Sequence, residues 1–133
     1  MKYLFFDIEC ADGGKATICS FGYVIADMDF KIIKREDIIM NPEGHFFLTG
    51  RAGRPDVPLA YPKETFFRSP KFPKFHSKLK ALLENEEYYI IGHSIGDDVN
   101  YLNKACARYG LEPFNFSYFD TQRMHRELSG HNK

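Results

Sequence analysis

The chain has little of several things, and each shortage removes a class of protein. Formal net charge is zero, because 18 Lys and Arg balance 18 Asp and Glu over 133 residues. That excludes a globally basic grip on nucleic acid but leaves room for a local basic groove. Cysteine is scarce. Cys10, Cys19 and Cys106 make an odd number without Cys-x-x-Cys spacing, which argues against a disulfide framework and against a zinc site. A reducing, cytoplasmic setting is the expectation. Long hydrophobic runs are missing as well. Stretches such as YLFF and YYII are only a few residues long, too short for a membrane span or a signal peptide.

Core material is nevertheless plentiful, with 13 Phe and 8 Tyr in a chain that is 44% hydrophobic. The length suits one domain over residues 1–133. KYLFFDI (2–8) reads as a buried strand. After the turn-forming ADGGK, two β-rich stretches follow, ATICSFGYVIADMDF and KIIKREDIIMNP, with D-M-D-F as the hairpin turn between them. Residues 42–72 hold five of the seven prolines and read as a long loop with one short helix. Such a loop in a compact domain is usually functional or mobile. From Pro73 the period changes, and Phe75, Leu79, Leu82 and Leu83 fall at helical spacing. YYIIGHS is a short strand. GDDVNYLNKACARYG is a helix with Val99, Leu102, Cys106 and Tyr109 on one face and Gly110 as its stop. FNFSYFD reads as a strand and TQRMHRELSG as a last helix. The order β-β-β-α-β-α-β-α predicts a mixed sheet flanked by helices.

Within YLFFDIEC, Asp7 and Glu9 stand one residue apart on a strand, so both point to the same side while Ile8 points away. Two carboxylates so close repel unless a cation or proton sits between them. Hard divalent ions such as Mg²⁺ and Mn²⁺ choose carboxylate oxygens. Asp-x-Glu on a rigid strand is what a magnesium site for phosphate chemistry needs. The plain alternative is that both acids begin the polar ADGGK turn and are hydrated by solvent. Further along, IIGHSIGDDVNYL places Asp97 and Asp98 in the first turn of a helix. There the helix dipole alone would favour acids.

Taken in order, these segments resemble the DEDD superfamily of 3′→5′ exonucleases, in particular the proofreading epsilon chain of DNA polymerase III. FFDIEC looks like the first motif of that family. IGHSIGDDVNYL looks like the second, approximately H-N-x-x-F-D-x-x-x-L. His93 and Leu102 match it, Asp98 falls on the catalytic aspartate, and Asp97 replaces the usual aromatic. YFDTQRM, with Asp120 and Thr121, resembles the strand-to-helix D-T that follows, and PKFPKFHSKLKALLEN the helix between the two motifs. The resemblance implies a ribonuclease-H-like fold and a two-metal mechanism. Asp7, Glu9 and Asp98 would help hold two Mg²⁺ or Mn²⁺ ions about 4 Å apart. One ion would activate the attacking water and the other would stabilise the departing 3′-oxygen, with main-chain groups after Asp7 near the 3′-terminal nucleotide. DNA or RNA 3′ ends would be the substrate and a DNA polymerase a candidate partner.

The sequence departs from that family in two places. A fourth acid, in H-x-x-x-x-D or Y-x-x-x-D, belongs a few dozen residues beyond the D-T, yet the sequence ends thirteen positions after Asp120. The expectation is a domain that lacks its C-terminal part and is weak or inactive as it stands. His131 reads as a solvated tail histidine. The long loop also lacks the family's G-I-T-like segment. Instead, residues 51–80 carry eight Lys or Arg against Asp56 and Glu64, with Phe66, Phe67, Phe72 and Phe75 interleaved. Cations and aromatics together grip single strands without sequence preference. Alternatively the lysines snorkel over a packed helix, the better reading for Lys78, Lys80 and Phe75. Arg51, Arg54 and Arg68 fit either.

Other residues carry less. Cys10, Cys19 and Cys106 read as core, His45 and His76 as structural or solvated, and Asp120 as a helix cap. His93 either orients the site or is a satisfied buried histidine. The leading expectation is a metal-dependent 3′→5′ exonuclease. The alternatives are a catalytically impaired nucleic-acid-binding or polymerase-associated module of the same fold, and an unrelated α/β binding domain.

Overall fold

In the computed structural model, residues 1–46, 59–123 and 125 are described. Five strands form one sheet: β1 (Lys2–Cys10), β2 (Ile18–Ala26), β3 (Ile32–Ile39), β4 (Tyr88–Gly92) and β5 (Phe119–Asp120). Their spatial order is β3-β2-β1-β4-β5. The first three strands run antiparallel, while β4 and β5 run parallel to β1. Three helices, α1 (Lys63–Phe67), α2 (His76–Leu83) and α3 (Ile95–Arg108), complete the described elements, with a 3-10 turn over Phe72–Phe75 leading into α2. This is the expected mixed sheet with flanking helices, of ribonuclease-H-like architecture. No helix among the described residues is long and apolar enough to cross a membrane.

The expected hairpin is present. Asp27 Oδ1 accepts the main-chain N–H groups of Asp29 and Lys31, each at 2.9 Å, and this closes the turn between β2 and β3. Alternation along β1 then separates the two sides of the sheet. Leu4, Phe6 and Ile8 are buried against Phe21, Ile25 and Ile90 of the neighbouring strands. Leu79 and Leu83 of α2 and Leu102 and Cys106 of α3 close over them. The other side carries Tyr3, Phe5, Asp7 and Glu9, none of them buried. Strand β1 is therefore buried on one face only, not throughout.

Two features of this sheet shape the end of β1. An extra residue, Cys19, lies between the pairs Glu9↔Ser20 and Cys10↔Ile18, a bulge of the kind that re-aims side chains beside functional sites. It turns Cys19 into a second, smaller core with Ala11, Phe46 and Phe66. In addition, β1 outruns β4, since their pairing ends at Phe5↔Ile91. The main chain beyond Phe5 is thus open to whatever helix α3 brings there.

Two expected elements differ. The strand expected over 114–120 is reduced to Phe119–Asp120, because the preceding segment bonds elsewhere. The Asn115 N–H donates to Glu84 Oε2 at 2.9 Å, and Phe114 stacks on His76 with ring centroids 5.0 Å apart. The last helix begins at Thr121 and is described over 121–123 and at His125. The remainder of the expected helix, with His131, lies outside the described residues, as do Arg51, Arg54 and Asp56.

Candidate active site

Helix α3 starts abruptly, and the abruptness places its acids. Gly92 ends β4, and a Cβ there would come within 2.9 Å of the Ile95 side chain. Ser94 then adopts φ 55°, the left-handed region that a non-glycine residue enters only when its surroundings hold it. What holds it is Asp120, whose Oδ1 accepts the Ser94 N–H at 3.0 Å and the Gln122 N–H at 3.0 Å. The second bond caps the turn that begins at Thr121, as the sequence suggested. The first ties β5 to the start of α3, which the sequence did not show.

This turn aims Asp98 at the exposed end of β1. Asp98 is half-buried and Asp97 is exposed. The main-chain N–H of Ile8 donates to the Asp98 carboxylate, filling the gap that β4 leaves beside β1. Burial pushes the Asp98 carboxyl up to about 7, and the negative charges of Asp7 and Asp97 push in the same direction. The hydrogen bond from Ile8 opposes this only in part. Asp7 and Asp98 therefore share one electrostatic environment although 91 positions of sequence separate them (98 − 7).

Glu9 projects from the same side of β1 as Asp7, and both line a pocket with Ser20, Asp37 and Tyr61. Among the described residues, no set of three or more His, Cys, Asp or Glu side chains converges as a metal-binding group. Asp7 and Asp98 are brought together, whereas Asp7, Glu9 and Asp98 do not close into a three-ligand cluster. Cys10 sits at the margin of the main core, where burial pushes its thiol up to about 12, with the charges of Cys19 and Asp98 adding to the rise. It is not poised as a nucleophile.

No family model matches the chain, and no curated protein matches it by sequence. Solved structures do. A product-bound structure of exonuclease I overlays with a TM-score of 0.70 at 15% identity, covering 96% of this chain and 31% of that one. E. coli exonuclease I in complex with a dA13 oligonucleotide gives 0.69 at 16% identity, covering 98% and 30%. The metal-free E. coli exonuclease I complex with single-stranded DNA gives 0.67 at 15%, covering 98% and 30%. The chain shares the ribonuclease-H-like fold of these exonuclease I structures. At these identities the likeness speaks for the fold alone and does not carry the finer resemblance to the epsilon chain. The chain spans less than a third of the length of these structures.

Several residues singled out by the sequence take structural places. His76 Nε2 lies 2.7 Å from the Glu112 carbonyl oxygen, and His45 is exposed. His93 is not a buried histidine. It is exposed, with Nδ1 3.1 Å from Thr121 Oγ1. Among the described residues of the basic, aromatic stretch, several side chains are already engaged. Lys71 pairs with Glu43 at 3.3 Å, Lys78 with Glu36 at 2.7 Å, and Lys80 with Glu84 at 2.8 Å. Phe66 and Phe72 are buried, 1% and 2% exposed, and cannot stack on bases. Phe67 and Arg68 remain exposed. Asp37 and Tyr61 were missed, because their place beside Asp7 depends on strand register and loop path.

Proposed function

We propose that this chain is a metal-dependent 3′→5′ exonuclease domain that hydrolyses phosphodiester bonds at nucleic-acid 3′ ends. One observation supports this most. In an exonuclease-like fold, strand β1 and the start of α3 deliver Asp7 and Asp98 to a common, partly desolvated place, with Glu9 on the same face of β1. Such mutual repulsion costs stability and is relieved when a cation binds. All the donors are carboxylate oxygens, which suits Mg²⁺ or Mn²⁺. Asp7 and Asp98 are the residues that would hold the metal, with Glu9 beside them. When bound, a metal here would supply a nucleophilic hydroxide and stabilise the leaving oxygen. The chain's own groups do the positioning. Ile8 fixes the Asp98 carboxylate, and Asp120 fixes the turn that carries it. Two of the exonuclease I structures named above hold an oligonucleotide or single-stranded DNA, which supports a nucleic-acid substrate for this chain.

A second reading is a nucleic-acid-binding module with an impaired site. It is favoured by the lack of a convergent three-ligand group among the described residues.

The test uses 5′-labelled single-stranded DNA and RNA with Mg²⁺ or Mn²⁺, comparing the chain with Asp7→Ala. The expected result is a ladder shortening from the 3′ end that is lost in the variant. Equal degradation by both proteins overturns the assignment, and binding without degradation selects the second reading. Mn²⁺ affinity separates the adjacent acids, with Asp98→Ala expected to weaken it more than Asp97→Ala. The reverse ranking would mean that the wrong aspartate has been assigned.

A further inference from the structure

Beside Asp7 and Glu9 lies a pocket of about 210 Å³ whose far wall belongs to neither β1 nor α3. Cross-strand register lines up Asp7, Gly22 and Asp37 in one row. Because Gly22 has no side chain, the space above it is open to both carboxylates. A Cβ there would stand 3.6 Å from Asp37 Oδ1 and fill part of that space. Asp37 is held in place at both oxygens. Ser20 Oγ donates to Oδ1 at 3.1 Å, and the Tyr61 hydroxyl donates to Oδ2 at 3.1 Å. The Tyr61 ring in turn meets Phe66 edge-on, with centroids 6.0 Å apart. Since Phe66 is 1% exposed, this wall is anchored in the smaller core.

The chemistry of that pocket selects its guest. Each Asp37 oxygen has accepted one hydrogen bond and has capacity for another. A pocket walled by Asp7, Glu9 and Asp37 repels a phosphate and accepts hydroxyl donors, which form short, charge-assisted bonds to carboxylates. Tyr61 adds an apolar ring against which a sugar or base can lie. A ribose end offers two vicinal hydroxyls where a deoxyribose end offers one, and the 2′-hydroxyl is the group by which proteins tell RNA from DNA.

We propose that this pocket receives the sugar of the 3′-terminal residue and that Asp37, held by Ser20 and Tyr61, reads its 2′-hydroxyl, so that ribonucleotide ends are favoured over deoxyribonucleotide ends. The inference rests on the exonuclease reading above and adds a sugar preference and the residue that sets it.

The test measures binding of the full chain to three 5′-fluorescein oligonucleotides of one sequence, in EDTA and in Ca²⁺. One is all DNA, one carries a single 3′-terminal ribonucleotide, and one carries a 2′-O-methyl residue there. The ribonucleotide end is expected to bind about tenfold more tightly than the other two, the discrimination worth one hydrogen bond to a charged acceptor. In Asp37→Asn that ratio falls towards one, and in Tyr61→Phe it falls partway. Asp37 is exposed on an edge strand, so Asp37→Asn is expected to keep its melting transition. If it does not, Tyr61→Phe, which removes a single oxygen, decides instead. A ratio near one in the unaltered chain, or an unchanged ratio in the variants, overturns the sugar assignment. Binding of all three oligonucleotides would then leave the exonuclease reading standing. Failure to bind any of them overturns both.

Discussion

The two faces of the sheet are built to opposite specifications. On one face Leu4, Phe6, Ile8, Phe21 and Ile90 are sealed by α2 and α3. On the other, a line of rings crosses the strands with much of its surface in water. Phe30 stacks flat on Tyr3 with centroids 4.6 Å apart, Tyr3 meets Tyr89 at 6.1 Å, and Tyr89 meets Phe119 at 6.4 Å. Phe30 is 63% exposed and Phe119 53%. The acids Asp7 and Glu9 belong to this open face, at its far end along β1. The difference teaches where chemistry can be afforded in a small domain. The sealed face supplies stability and stiffness, so that charged groups on the open face can be held rigidly yet reached by solvent.

That contrast can be tested by mutation, starting where the effect is largest. Phe21 is fully buried, so Phe21→Ala is expected to cost about 3–5 kcal/mol in chemical denaturation, the range for large aromatic deletions in a core. Phe5→Ala, one face over, is expected to cost well under half as much. Equal losses would mean that the open face is covered in solution.

A smaller effect belongs to the joint between sheet and helix. Gly92→Ala forces a Cβ to within 2.9 Å of Ile95, and overpacking of this kind costs about 1–3 kcal/mol. Because Ile95 begins α3, the variant should also displace Asp98 and weaken Mn²⁺ binding. A destabilised variant with unchanged Mn²⁺ affinity would separate the joint from the site.

The smallest effect is electrostatic and depends on pH. The folded-state Asp98 carboxyl sits at about 7, above its unfolded value near 3.9. The fold therefore holds the proton more tightly than the unfolded chain does. Its contribution to stability is complete below about pH 4 and is lost as pH rises through 7. Without metal, Asp98→Asn should be more stable than the unaltered chain at pH 8 by about 1 kcal/mol, after allowance for solvent screening. The advantage should shrink towards pH 5. The same difference at both pH values would show that neither burial nor the neighbouring Asp7 raises the Asp98 carboxyl.

Parts of this molecule were legible in the sequence because they rest on local periodicity. The alternation of KYLFFDIEC put Asp7 and Glu9 on one side of a strand whatever the strand later touched. Helical spacing of Leu79 and Leu83, and of Leu102 and Cys106, marked the faces that close the main core. Asp120 read as a cap because capping is set within three residues. The same local logic overextended β5. Nothing in FNFSYFD tells that Asn115 bonds to Glu84 rather than to a strand neighbour. It also gave no ion-pair partners for Lys71 and Lys78, since Glu43 and Glu36 are 28 and 42 positions away (71 − 43; 78 − 36).

By itself, then, the sequence determined the order of elements, the shared side of Asp7 and Glu9, and the presence of Asp98 at a helix start. Tertiary structure alone decided which face of the sheet stayed open, that β1 outran β4 so that Ile8 could hold Asp98, and that Asp37 came to stand across Gly22 from Asp7. The physical reason is one of range. Side-chain alternation and helical period are fixed by bonds between neighbouring residues. Strand register and helix docking come from burial summed over the whole chain, and a one-residue slip in register would have carried Asp37 to the other face.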